Sequence, residues 1–156
     1  MSSASENPSS RDDAGYANEG RDVRIPPIGL AGILQIPKNA YALVAFAHGS
    51  GSSRLSPRNT IVARALNDRG IATLLFDLLT SAEEADRANV FNIPLLADRL
   101  VDAVHWIDGQ ASVAKFPLGL FGASTGAAAA LVAAAKLPRR IGAGSVFSRR
   151  RPFGNP

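Results

Sequence analysis

Ser124 stands in the middle of the string Gly122-Ala123-Ser124-Thr125-Gly126, a G-x-S-x-G pattern. This pattern is typical of a nucleophile elbow, a strained turn between a strand and a helix that exposes a serine hydroxyl. The flanking glycines remove Cβ atoms that would collide with the neighbouring strand and helix. The turn also places the hydroxyl near a helix N-terminus, whose positive potential stabilises an oxyanion. The string therefore predicts nucleophilic chemistry at Ser124.

The residues around this string supply the expected strand and helix. The apolar run 116–121 leads into it, and the alanine-rich stretch 127–136 follows it. The alternative is a glycine-rich strand-to-helix turn that only packs closely, as in nucleotide-binding domains. The sequence contains neither of the two common phosphate-binding strings, G-x-G-x-x-G and G-x-x-x-x-G-K-[ST], which weakens this alternative.

A second string of small residues follows an earlier apolar run. The run 41–47 is continuously apolar and is followed by His48-Gly49-Ser50-Gly51. An oxyanion hole next to a serine elbow uses two backbone N–H groups, one from the residue after the nucleophile and one from a loop after an earlier strand. Thr125 and Ser50 occupy these two positions. We expect their N–H groups to hold the oxyanion.

The elements that must position these residues alternate between strands and helices. Short runs at 23–25 and 32–36 suit an antiparallel hairpin at a sheet edge. Buried strands are predicted at 41–47, 71–76 and 116–121, with a last strand at 141–147, and helices are predicted from Ser56, from Ser81, over 94–108 and over 127–136. This alternation predicts the α/β class, with a mostly parallel sheet and helices on both faces.

The composition excludes several other kinds of site and partner. The chain has 156 residues, no cysteine and two histidines, which excludes disulfide frameworks, thiolate metal sites and cysteine nucleophiles. Five of the 17 basic residues are arginines at position 139 or later, which leaves 12 basic residues against 13 acidic ones in the rest of the chain. The net charge of +4 thus comes from the stretch after residue 138, and this does not favour nucleic acid as a partner. No apolar run suits a membrane span or a secretory signal, and we expect a cytoplasmic protein without cofactor or metal.

Three segments are expected along the chain. Residues 1–21 are rich in Ser, Asp, Asn, Gly and Glu, and such a composition predicts disorder. Residues 22–147 carry the strand and helix patterns and form the folded domain. Residues 148–156 form a basic tail.

Three longer strings indicate a family resemblance. The strings "VAFAHGSGSSRLSPRN", "GIATLLFDLLT" and "GLFGASTGAAAALVAAA" resemble the α/β-hydrolase superfamily, and in particular its dienelactone-hydrolase-like branch of small serine hydrolases. The resemblance covers about residues 23–143. It implies an α/β-hydrolase-like domain at 22–147 with a serine nucleophile, an oxyanion hole and activity on esters. Dienelactone hydrolases carry a cysteine where Ser124 stands, which indicates an esterase-like relative.

The sequence departs from this family at the catalytic triad. The family's order is Ser, then Asp or Glu, then His, but the 32 residues after Ser124 contain none of these partners. We therefore expect a truncated domain, incomplete at its C-terminal edge, with weak turnover, because serine without a base is a poor nucleophile. His48 and Asp77, at the ends of two predicted strands, are auxiliary candidates. Each could assist catalysis or could hold the loop backbone by hydrogen bonds.

Two arginines are candidates for substrate binding. Arg54 and Arg58 follow the oxyanion loop, four residues apart, and could bind an anionic group of the substrate. Their alternative is a solvated helix face. His105 lies within the predicted helix 94–108, where we expect a surface or packing residue.

These observations predict a serine hydrolase of the carboxylesterase or dienelactone-hydrolase-like type that cleaves a small-molecule ester through Ser124. The alternative is a catalytically inactive α/β-hydrolase remnant. Because an incomplete sheet exposes apolar surface, such a remnant would act through self-association, for example as a homodimer, or through ligand binding.

Overall fold

The structure, a computed structural model, describes residues 20–147. Within this range the chain forms six strands and five helices. The strands are β1 (Arg21–Ile25), β2 (Leu30–Gln35), β3 (Ala42–Ala47), β4 (Ile71–Phe76), β5 (Leu118–Ala123) and β6 (Ile141–Phe147). The helices are α1 (Pro57–Asn67), α2 (Ser81–Glu84), α3 (Arg87–Val90), α4 (Ile93–Asp108) and α5 (Thr125–Lys136). The predicted basic tail 148–156 and nearly all of the predicted disordered segment 1–21 lie outside the described residues, but Arg21 begins β1.

The strands form one sheet in the order β1-β2-β4-β3-β5-β6. β1 and β2 pair as an antiparallel hairpin, and β2 joins β4 in antiparallel orientation. β4, β3, β5 and β6 are parallel to one another. This topology confirms the predicted α/β class and places the hairpin at one edge. The carboxyl ends of β4, β3 and β5 consequently lie side by side.

Helices cover both faces of the sheet. On one face α4 and α5 pack through buried apolar side chains, among them Leu100 and Ile107 of α4 and Ala129 and Ala133 of α5. On the other face Ala63 of α1 packs in a smaller cluster with side chains of β3 and β4. The small alanine side chains bring α5 close to both the sheet and α4. In the described part of the chain, the helices are too short or too polar to cross a bilayer.

The structure shifts two of the predicted boundaries by two residues. The third buried strand was expected at 116–121 but runs from Leu118 to Ala123. Pro117 has no N–H to donate, although its carbonyl oxygen accepts from the N–H of Leu43, and the N–H of Phe116 donates within the preceding turn at 3.0 Å, so the strand starts after both residues. α5 begins at Thr125, two residues before the predicted start. α2 begins at Ser81, as predicted, and Thr80 is its N-cap.

The packing of helices on both faces of the sheet makes a testable prediction about stability. Leu100→Ala should lower the free energy of unfolding by about 2–5 kcal/mol, because Leu100 is fully buried between α4 and the sheet. The control is Leu131→Ala on the exposed side of α5, which should change it by less than about 0.5 kcal/mol. Urea denaturation followed by circular dichroism measures both. Equal losses for the two variants would contradict this packing.

Candidate active site

Three polar residues meet at one edge of the sheet. His48, Asp77 and Ser124 each directly follow a strand, namely β3, β4 and β5. These strands are adjacent and parallel, so their carboxyl ends deliver the three residues to the same edge. In open α/β sheets this edge is where ligands bind.

Ser124 has a left-handed backbone, with φ 54° and ψ −125°. A residue with a side chain in such a conformation carries a strain of about 1–3 kcal/mol. The two flanking glycines explain why the strain persists. A Cβ on Gly122 would lie 2.5 Å from the carbonyl oxygen of Gly126, and a Cβ on Gly126 would overlap the carbonyl oxygen of Ala47. Only glycines allow β5, β3 and the start of α5 to approach this closely, and the approach bends the chain at Ser124.

The hydroxyl of Ser124 is not used to cap the helix that it precedes. The N-cap side chains of α1, α2, α3 and α4, which are Ser56, Thr80, Asp86 and Asn92, each accept a hydrogen bond from a backbone N–H of their helix. Ser124 is the N-cap of α5 and makes no such bond. Its side chain is exposed instead. The turn therefore presents an uncommitted hydroxyl at a helix N-terminus, which is the geometry of a nucleophile elbow.

A cavity of about 890 Å³ lies beside this turn. Thr125 and Ser50, the two predicted oxyanion residues, both line it. Thr125 is the first residue of α5, where a backbone N–H has no acceptor within the helix. The loop after β3 also comes close to the serine, since a Cβ on Gly49 would lie 3.2 Å from Cβ of Ser124. Thr125 and Ser50 therefore line the same cavity, next to Ser124, which is not itself among the lining residues.

His48 is buried and engaged at both ring nitrogens. Its Nε2 accepts a hydrogen bond from the backbone N–H of Leu78 at 3.0 Å. The proton must then be on Nδ1, which lies 3.0 Å from the carbonyl oxygen of Gly49 and donates to it. No lone pair of this neutral ring is left to take a proton from Ser124. The geometry favours the loop-holding alternative over the catalytic one.

Asp77 is engaged in a similar way by the loop after β3. Its two carboxylate oxygens accept from the backbone N–H of Arg54 at 2.8 Å and from Nη1 of the same residue at 2.6 Å. These two hydrogen bonds connect the loop after β3 to the end of β4.

The structure does not place the two predicted substrate-binding arginines at the cavity. The guanidinium of Arg54 is paired with Asp77, and Arg58 is exposed on α1, so neither lines it. Arg87, the first residue of α3, lines the cavity instead. Sequence reasoning missed it because no motif surrounds it. His105 is exposed on α4, as expected.

The apolar lining of the cavity comes from residues that the sequence did not single out. Leu79 precedes α2, Val90 ends α3 and Phe91 follows it, and Leu55 lies in the loop before α1. Within residues 20–147, no three His, Asp or Glu side chains come together in a way that could hold a metal ion.

Three solved structures that share the fold are hydrolases or esterases. Dienelactone hydrolase from Anabaena variabilis is 46% identical with a TM-score of 0.79, over 86% of this chain and 64% of that chain. An α/β serine hydrolase without a lid from Xanthomonas campestris is 25% identical with a TM-score of 0.60, over 77% of this chain and 57% of that chain. An esterase from Pyrococcus furiosus, 21% identical with a TM-score of 0.61 over 85% of this chain and 50% of that chain, shares the fold.

Two sequence relatives come from Mycobacterium tuberculosis. They are provisionally named phosphoribosyl transferases, and each is 55% identical to this chain over 123 residues. The match covers 79% of this chain and 27% of each relative, so the chain spans about a quarter of the length of these curated proteins. No protein-family model matches the chain.

The strained turn predicts an unusual order of stabilities at position 124. Ser124→Gly should raise the free energy of unfolding by about 1 kcal/mol relative to Ser124→Ala, because glycine adopts positive φ without strain. Part of the gain is offset by the greater entropy of glycine in the unfolded chain. Chemical denaturation of the two variants measures the difference. A glycine variant no more stable than the alanine variant would show that the turn is relaxed.

The hydrogen bonds of His48 predict that its removal lowers the stability of the protein, whereas removal of the exposed His105 does not. His48→Ala leaves the buried N–H of Leu78 without its acceptor and should lower the free energy of unfolding by about 1–3 kcal/mol. His105→Ala on the surface of α4 should stay within about 0.5 kcal/mol. The same denaturation assay compares the two. If both variants keep the stability of the original chain, His48 does not hold the loop.

Proposed function

Because this chain belongs to the α/β-hydrolase superfamily, within its dienelactone-hydrolase-like branch, we propose that it carries the nucleophile and oxyanion hole of a serine hydrolase that cleaves small-molecule esters. The observation that carries the proposal is the backbone of Ser124. Ser124 is held at positive φ, and its exposed hydroxyl does not cap α5. This conformation lowers the stability of the fold, and packing alone does not require it.

The proposed reaction begins with attack by Oγ of Ser124 on the carbonyl carbon of the ester. The new C–O bond turns the carbonyl oxygen into an oxyanion, which the N–H groups of Thr125 and Ser50 hold. When the tetrahedral intermediate collapses, the bond to the alcohol oxygen breaks and the acyl group stays on Ser124. Attack by water on this acyl-enzyme then releases the acid and restores the hydroxyl.

The proton of Ser124 needs an acceptor, and the neighbouring side chains do not offer one. His48 is bonded at both nitrogens, and Asp77 is paired with Arg54. The residues after Ser124 contain no Asp, Glu or His. Enzymes that lose a triad member still retain about 10³–10⁴-fold catalysis over water through binding and the oxyanion hole. We therefore propose acylation by activated esters as the measurable step for this chain, with slow release of the acid.

The name of the Mycobacterium tuberculosis relatives does not lead to a second proposal. It describes proteins of which the match covers 27%. Acyl transfer would use an exposed hydroxyl, which Ser124 has, and two N–H donors, which we assign to Thr125 and Ser50 in the lining of the adjoining cavity.

The proposal predicts covalent labelling at one serine. Incubation with p-nitrophenyl acetate should attach an acetyl group to Ser124, detected by peptide mass spectrometry, because nitrophenolate leaves without a general acid. Added imidazole should accelerate the release of nitrophenolate at least about tenfold by serving as the missing base, beyond its own reaction with the ester.

Two variants make this test specific. Ser124→Ala should lose both the label and the imidazole-dependent acceleration. Ser112→Ala is the matched control, because Ser112 is an exposed serine that does not line the cavity, and it should keep both. Acetylation spread over several surface serines, or unchanged in Ser124→Ala, would refute Ser124 as the nucleophile.

A further inference from the structure

We propose that the apolar lining of the cavity is a channel for an unbranched aliphatic acyl chain, so that the preferred substrates are esters of medium-chain carboxylic acids. This inference rests on the proposed function and names the acyl group that the same site accepts. The specificity-determining residues are Phe91 and Leu55.

The size of the cavity exceeds what a short ester needs. Its volume of about 890 Å³ falls in the upper part of the range of roughly 300–1,000 Å³ that drug-sized ligands occupy. An acetyl group would leave most of this space to water. A chain of six to eight carbons would displace that water from the apolar wall, and each buried methylene favours binding by up to about fourfold.

Two of the lining residues are large apolar side chains left in solvent. Leu55 is 60% exposed and Phe91 is 50% exposed, and they come from two separate segments of the chain that meet at one cavity. Single exposed apolar residues are normal on a protein surface, but two that converge on a cavity mark a binding surface. Leu79 and Leu96 continue the apolar lining and are buried. The apolar lining thus includes two exposed side chains and two that belong to the hydrophobic core.

Phe91 has no role in the core that would account for it. It follows α3, and neither α2 nor α3 buries a residue. Its ring belongs to neither hydrophobic cluster of the domain. The guanidinium of Arg87 lies over the ring, 5.5 Å from its centroid, and holds it in place. The ring is thus fixed by a surface contact while part of it remains available to a ligand.

The polar part of the lining supplies the other half of an ester site. Ser50 and Thr125 lie at the same cavity with the N–H groups assigned to the oxyanion. An ester bound with its carbonyl at these donors has room for its acyl chain along Leu79 and Phe91. The cavity is therefore suited to a molecule with one polar group and one aliphatic chain.

A binding experiment tests the channel without requiring catalysis. Methyl octanoate and methyl butyrate are titrated into the Ser124→Ala protein and followed by NMR. The four additional methylenes should make methyl octanoate bind at least about tenfold more tightly. Adding the Phe91→Ala substitution should weaken the binding of methyl octanoate about five- to tenfold and leave the affinity for methyl butyrate nearly unchanged. Because Phe91 is half exposed, this variant should fold, which circular dichroism verifies.

The matched control is Ile61→Ala in the same background. Ile61 is 68% exposed on α1 but does not line the cavity, so its removal should leave both affinities unchanged. Equal binding of the two esters, or equal effects of Phe91→Ala and Ile61→Ala, would overturn the channel. These outcomes are independent of the labelling of Ser124. A labelled Ser124 without chain-length preference refutes the channel alone, and a clear preference without labelling refutes the proposed nucleophile alone.

Discussion

The close approach of α5 to the end of β3 is the constraint on which the site depends. Gly126 lies against the carbonyl oxygens of Ala47 and His48, and Gly122 lies against the first turn of α5. A side chain at either glycine would push the helix away from the sheet. The same approach sets the left-handed backbone of Ser124, the exposure of its hydroxyl and the place of Thr125 at the cavity. Strain at one serine is offset by the packing of a whole strand-helix unit.

Two residues of catalytic type hold the loop that faces this serine. His48 bonds the backbone at Leu78, and Asp77 bonds the backbone and side chain of Arg54. Both connections join the loop after β3 to the end of β4. They fix the loop that carries Ser50. Under the proposed function, this fixed loop would hold the N–H of Ser50 in place for the oxyanion before the reaction begins. His48 and Asp77 would then serve preorganisation, and proton transfer would need another group.

The cavity combines parts with different origins in the sequence. Its polar side comes from the glycine- and serine-rich loop and the start of α5, which carry recognisable motifs. Its apolar side comes mainly from residues next to α2 and α3 and from Leu96 of α4, which carry no motif. Under the proposed function, the motif-bearing part would carry out acyl transfer and the other part would set the space for the acyl group.

Local sequence patterns were sufficient to predict most of the strands and helices and the chemical type of the turn at Ser124. β4 and β6 lie where the apolar runs predict them, and α1 starts at the serine-proline pair, because strand runs and helix caps depend on neighbours only a few residues away. A predicted boundary was wrong at the start of β5, because Pro117 has no N–H to donate to a neighbouring strand.

Contacts between distant parts of the chain, in contrast, set which polar groups are already hydrogen-bonded and which are not. His48 meets Leu78, 30 residues away, and Arg54 meets Asp77, 23 residues away. Such partners are brought together by the order β4-β3-β5, which no local pattern specifies. For the same reason Arg87 and Phe91 reached the cavity from a segment without any motif. A side chain's role at this site follows from the partners that the fold gives it, and those partners are distant in the sequence.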